Sequence, residues 1–81
     1  MGSSTMKADM FIDARGMSCI VLLLKTKKIL KEMGAGKILE IRANDPGSRQ
    51  DLPDLGSKNG NSFLGMHEAD DGSTIYYIKK G

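Results

Sequence analysis

The apolar positions of this chain fall into two rhythms, one close to alternation and one close to the helical repeat, and they change over at glycine-rich or proline-containing punctuation. Met10, Phe11 and Ile12 form a short apolar run closed by Asp13, and Gly16 after Arg15 marks a turn where a positive φ is cheap. A strand followed by a loop is expected. From Ile20 to Met33 there is neither proline nor glycine, and Leu22, Ile29, Leu30 and Met33 share one helical face while Lys27, Lys28 and Lys31 lie on the other. Ser18 is placed to cap this helix, and Gly34 and Gly36 to end it. Ile38 to Ala43 alternates loosely with polar residues and predicts a second strand, after which Asn44-Asp45-Pro46-Gly47 is a dense turn signal. Ser48 to Ser57 predicts a short second helix, since Pro53 is tolerated only near a helix start and Gly56 lies close to the end. After a polar loop over Lys58 to Asn61, Phe63 to Ala69 and the β-rich Thr74 to Ile78 flank Asp70-Asp71-Gly72-Ser73, a hairpin signature.

The order is therefore strand, helix, strand, helix, strand, strand, or βαβαββ. A strand-helix-strand unit with parallel strands places its helix on one face of the sheet, and a second helix joined by short loops packs beside the first. The expected class is α+β, a two-layer α/β sandwich. No internal repeat or low-complexity segment interrupts it.

Length and composition narrow this further. With 81 residues there is room for one domain and one modest core, expected over residues 6–81. Met1 to Thr5 precedes a second methionine, Met6, and resembles a leader left by expression cloning. Hydrophobic residues at 40% and charged residues at 27% suit a folded globular chain rather than a disordered one. A single cysteine cannot form an internal disulfide, which suits a reducing compartment, with the cytoplasm as the expected location. No apolar run has the length to cross a bilayer or the form of a signal peptide, so no membrane partner is expected. A formal charge of +2 does not by itself imply nucleic acid, whose footprint needs clustered basic residues.

The chemistry centres on Cys19, which stands where the loop ends and the first predicted helix begins. Its sulfur there faces unpaired N–H groups and the positive end of the helix dipole, a setting that favours thiolate. Arg15 is close enough in sequence to add positive charge, and thiolate is the form that attacks sulfur. A free cysteine is also commonly a small buried hydrophobe, and position alone weighs these readings about evenly. There is no second cysteine to resolve a disulfide, and His67, the single histidine, is expected as a solvated strand residue far from the thiol, which argues against a dithiol redox enzyme and a Cys-His nucleophile. One cysteine and one histidine give no recognisable metal-ligand spacing. Asp45 and Asp51 read more simply as turn and helix-start carboxylates than as paired acids.

Asp13-Ala14-Arg15-Gly16-Met17-Ser18-Cys19 followed by Leu23-Leu24-Lys25-Thr26-Lys27-Lys28 resembles the signature region of the TusA/SirA family, which includes YedF-like proteins. Asn44-Asp45-Pro46-Gly47-Ser48, Asp51-Leu52-Pro53 and Tyr77-Ile78-Lys79-Lys80 continue the likeness in order and approximate spacing. The resemblance implies a four-stranded mixed sheet with two helices on one face. It also implies a sulfur carrier, in which Cys19 receives persulfide sulfur from a cysteine desulfurase and relays it to an acceptor protein, as in transfer-RNA thiolation or related sulfur trafficking. Such a chain is a sulfurtransferase-like relay rather than an independent catalyst, and it needs no cofactor. Asp13, Arg15, Gly16 and Ser18 are the expected supporting residues. Lys25 and Lys28 on the basic helix side, with Met17 beside the thiol, are the expected partner contacts; packing under the loop is an equal alternative for Met17.

The chain departs from the family at one place. The family cysteine opens a Cys-Pro-x-Pro pattern, whereas here Cys19-Ile20-Val21-Leu22 lacks both prolines. That change frees donors, allows the helix to shift by a residue and adds apolar surface beside the thiol. It supports a competing expectation, a regulatory or protein-binding domain that no longer transfers sulfur. Direct nucleic-acid binding ranks last, because Phe11, Phe63, Tyr76 and Tyr77 are the only aromatic residues available for stacking.

Overall fold

A computed structural model describes residues 8–58 and 60–81; Met1 to Thr5 lie outside the described residues. Strand β1 (Met10–Asp13) is followed by helix α1 (Cys19–Glu32), strand β2 (Ile38–Ala43), helix α2 (Ser48–Gly56) and strands β3 (Ser62–Glu68) and β4 (Thr74–Lys79). The strands form one mixed sheet in the order β1-β2-β4-β3. β1 runs parallel to β2 with Ile12 opposite Ile41, and β4 is antiparallel to both β2 and β3. This is the expected βαβαββ sandwich.

The helical face of the sheet carries the core. Leu39, Ile41 and Ala43 alternate with partly exposed neighbours along β2, and with Ile12, Tyr76 and Ile78 they meet Leu22, Leu30 and Met33 of the α1 segment and Leu52 of α2 in a single cluster. Both helices therefore cover the same face. Three buried hydroxyls inside this layer are satisfied: Thr26 Oγ1 donates to Leu22 O at 2.8 Å, and Ser48 Oγ and Tyr76 Oη share a hydrogen bond of 2.8 Å. Each would otherwise carry a desolvation penalty. On the opposite face Ile75 and Tyr77 are also buried, with the exposed His67 ring tilted over Tyr77 at 5.8 Å.

The helix boundaries differ slightly from expectation. α1 begins one residue earlier, at Cys19, because Ser18 caps it and Leu22 N donates to Ser18 O at 3.0 Å. The Leu22 N–H thus closes the first helical turn, and Leu22 itself is fully buried. Pro53 sits in the body of α2 rather than near its start, so that short helix forgoes one backbone bond. Its hold on the sheet comes from packing. A β-carbon added at Gly56 would lie 2.9 Å from Ile78 Cγ1, and Ile78 is fully buried and has no room to swing aside. Gly56→Ala is expected to lose about 1–2 kcal/mol in a denaturant titration, overpacking outweighing the gain in helix propensity. Unchanged or increased stability would show that α2 is not pressed against β4 at this point.

Candidate functional site at the start of helix α1

Because β1 and β2 are parallel, their carboxyl ends lie together, and the loops that leave them start α1 and α2 side by side. Asn44 after β2 ties the two loops, its Oδ1 accepting from Gly16 N at 3.1 Å, while Gly16 takes the expected positive φ of 86°. Ala14 N donates to Arg42 O at 2.7 Å and Met17 N to Ala14 O at 3.1 Å, so the segment before Cys19 is held along its length. Met17 is half-buried and packs against the core.

Cys19 occupies the first position of α1, partly exposed. Ser18 Oγ accepts from Val21 N at 3.5 Å, a long capping contact. The sulfur donates to Asp51 Oδ2 of α2 at 2.9 Å. Gly47, at the start of α2, forms the near wall: a methyl group there would stand 3.7 Å from Sγ. Asp45 Oδ1 meanwhile accepts from Gly47 N at 2.8 Å, shaping the turn as expected.

These neighbours correct the expected electrostatics. Arg15 does not turn toward the thiol; its Nε and NH2 atoms reach Asp13 at 2.8 and 2.7 Å, and its NH1 atom reaches Asp71 at 2.9 Å. The hydrogen bonds from Arg15 draw the Asp13 carboxyl down to about 2. Ser73 and then Arg15 hold Asp71 well below the usual carboxylate range. The guanidinium positions the loop and is spent on these two carboxylates. The thiol moves the opposite way from expectation: its hydrogen bond to Asp51, followed by burial and the negative charges of Asp51 and Asp45, pushes it from 9.0 up to about 11. A helix start presents about half a charge spread over its first turn, which a full carboxylate charge at hydrogen-bond distance outweighs. The resting sulfur is a thiol.

Asp51 and Gly47 are the neighbours that reading the sequence for a thiol site did not single out. Their signal lay in the resemblance segments Asn44 to Ser48 and Asp51 to Pro53, which the parallel pairing of β1 and β2 brings to the same end of the sheet as Cys19. Beside the thiol, a groove of about 400 Å³ runs between α1 and α2, with Ile20, Leu23, Leu24, Leu55, Lys27 and Asp51 among its walls. Ile20 is 73% exposed and Leu24 64% exposed. Lys25 and Lys28 are exposed but lie outside that groove.

The family model for sulfurtransferase TusA matches residues 10–80. The chain belongs to the TusA family. It is 32% identical over 72 residues to the sulfur carrier protein TusA of Allochromatium vinosum, covering 89% of this chain and 92% of that one. It is 40% identical over 76 residues to YrkF of Bacillus subtilis, a match that takes 94% of this chain but spans only 40% of YrkF. Its fold is similar to the crystal structure of a SirA-like protein from Desulfitobacterium hafniense, with a TM-score of 0.79 at 30% identity over 89% of this chain and 97% of that one. After Cys19, the apolar residues Ile20 and Leu22 take separate places. Leu22 goes into the core, and Ile20 extends the apolar wall next to the sulfur.

Proposed function

We propose that this chain is a cytoplasmic sulfur carrier in which Cys19 receives sulfane sulfur from a cysteine desulfurase and hands it to an acceptor protein, for transfer-RNA thiolation or related sulfur trafficking. The observation that carries the reading is a lone, partly exposed thiol at the first position of a capped helix, in a member of a sulfurtransferase family. In the loading step the Cys19 thiolate attacks the terminal sulfur of the donor's persulfide. A new S–S bond forms at Cys19 Sγ, the donor's S–S bond breaks, and the donor cysteine leaves as thiolate. Delivery repeats the exchange with the acceptor's thiolate as nucleophile. Neither step needs a second cysteine in this chain or an outside oxidant. Lys25 and Lys28 steer acidic surfaces of the partners during encounter. Among the described residues no helix is long and apolar enough to cross a membrane.

The carboxylate against the thiol favours a second reading, a protein-binding or regulatory domain that no longer transfers sulfur. Intact-mass measurement after incubation with a cysteine desulfurase and cysteine separates the two. The carrier gains the mass of one sulfur atom, removable by reductant, and Cys19→Ser gains none. Absence of the adduct under conditions that load an Allochromatium vinosum TusA control would establish the binding domain instead.

A further inference from the structure

Among the described residues, the charged groups that bear on the Cys19 sulfur are carboxylates: Asp51 from α2, in direct contact, and Asp45 from the loop before it. Arg15, which follows β1, is occupied by Asp13 and Asp71. Asp51 also lines the groove between α1 and α2. Farther along that groove Lys58 is paired with Asp54 at 3.1 Å, while Asp51 has the thiol as its only side-chain partner among the described residues. The groove thus offers an apolar wall of Ile20, Leu23, Leu24 and Leu55, with Lys27 also on its lining, and the group that meets the reacting atom is the acidic Asp51. A surface of that kind is complementary to a segment with apolar side chains followed by a cation. An anionic segment would meet two negative charges at the point of reaction.

We propose that Asp51 selects the sulfur partner by charge: the protein segment that docks beside Cys19 lays apolar side chains in the α1–α2 groove and brings an arginine or lysine that takes the Asp51 carboxylate over from the thiol. The inference rests on the sulfur-carrier reading and adds to it which chemistry the docking segment carries. Once the carboxylate is paired with the incoming cation, the sulfur loses its hydrogen-bond acceptor and the repulsion that opposes its negative form. The Cys19 proton passes to solvent, the thiolate attacks the donor's terminal sulfur as described above, and the departing donor thiolate takes up a proton from solvent. When the partner leaves, Asp51 is free to accept from Cys19 again. A thiol unmasked only within the right complex is kept from stray oxidation between encounters.

The test measures mixed-disulfide formation at Cys19 with three small disulfides: dicationic cystamine, neutral 2-hydroxyethyl disulfide and dianionic dithiodiglycolate. Rates are taken at low ionic strength and divided by those of an unstructured cysteine peptide. The expected order is cation, neutral, anion, with cystamine favoured over the neutral probe by about fivefold or more, as one unscreened charge contact at this range provides. In Asp51→Asn, checked by circular dichroism to be folded, the order collapses to that of the peptide. A flat order in the unaltered chain, or a preference that survives Asp51→Asn, overturns the proposal. Sulfur loading by the desulfurase is measured on the same preparations. A chain that loads sulfur but shows no charge order refutes the charge selection alone, whereas a chain that does not load refutes the carrier reading beneath it.

Discussion

Asp51→Asn is expected to bring the Cys19 thiol down from about 11 toward its ordinary value of 9.0, and to speed its alkylation by iodoacetamide at pH 8 about tenfold. The argument is electrostatic and local. Asparagine keeps an oxygen near the sulfur, 2.9 Å away in the parent chain, but removes the negative charge that disfavours thiolate. A fall of about two pH units raises the thiolate fraction roughly a hundredfold, and the lower nucleophilicity of a less basic thiolate returns about half of that gain on a logarithmic scale. The same coupling has a sign in folding. A thiol that holds its proton to higher pH when folded contributes stability below about 9 that is lost as the pH rises toward about 11. Alkylation of Asp51→Asn at the parent rate, with the thiolate absorbance titrating in the same range as the parent's, would show that Asp51 does not govern the sulfur.

Leu22→Ala is expected to destabilise the domain by about 3 kcal/mol and lower its thermal midpoint by about 12–24 °C. Leu22 is fully buried in the cluster that joins α1 to the sheet. Truncation therefore removes the transfer free energy of the lost methyl groups and leaves a cavity between two elements that are locked by other contacts. Its backbone would still donate to Ser18 O, so the start of α1 remains in place and the loss reports packing alone. A shift of less than about 1 kcal/mol in a urea titration would mean that Leu22 is not part of the core.

How much of this was legible in the sequence follows the range of the forces involved. The alternation of Leu39, Ile41 and Ala43 and the helical spacing of Leu22, Leu30 and Met33 specify buried faces directly, and both faces are buried as read. The hairpin around Asp70 to Ser73 and the helix start at Ser18 and Cys19 depend on residues a few positions apart, and they too were legible. Strand β3 ends at Glu68 rather than Ala69, whose N–H instead closes the turn by donating to Ser73 O at 2.8 Å. The charge environment of the sulfur was read in the wrong direction because it is not local. Arg15 lies four positions before Cys19 but spends its guanidinium in part on Asp71, 56 residues away, and the group that reaches the thiol is Asp51, 32 residues away. Sequence proximity ranked Arg15 first. Packing of α2 against α1 decided for Asp51.

Ile20 and Leu22 in the first turn of α1 were likewise readable as apolar residues beside the thiol, but not in where each would go. At Leu22 the N–H donates to Ser18 O and the side chain enters the core; at Ile20 the side chain is exposed on the groove wall. Two aliphatic residues two positions apart therefore serve the core in one case and the groove wall in the other.

Sulfur movement through Cys19 is tested most directly by loading the chain with radiolabelled sulfur from cysteine and a cysteine desulfurase, removing the donor, and adding a cysteine-bearing acceptor protein from the same sulfur pathway. The carrier account predicts reductant-labile label on the Cys19 peptide that passes to the acceptor, with neither loading nor delivery in Cys19→Ser. Label that never reaches Cys19, or that remains there in the presence of an acceptor able to take sulfur from a TusA relative, would contradict it.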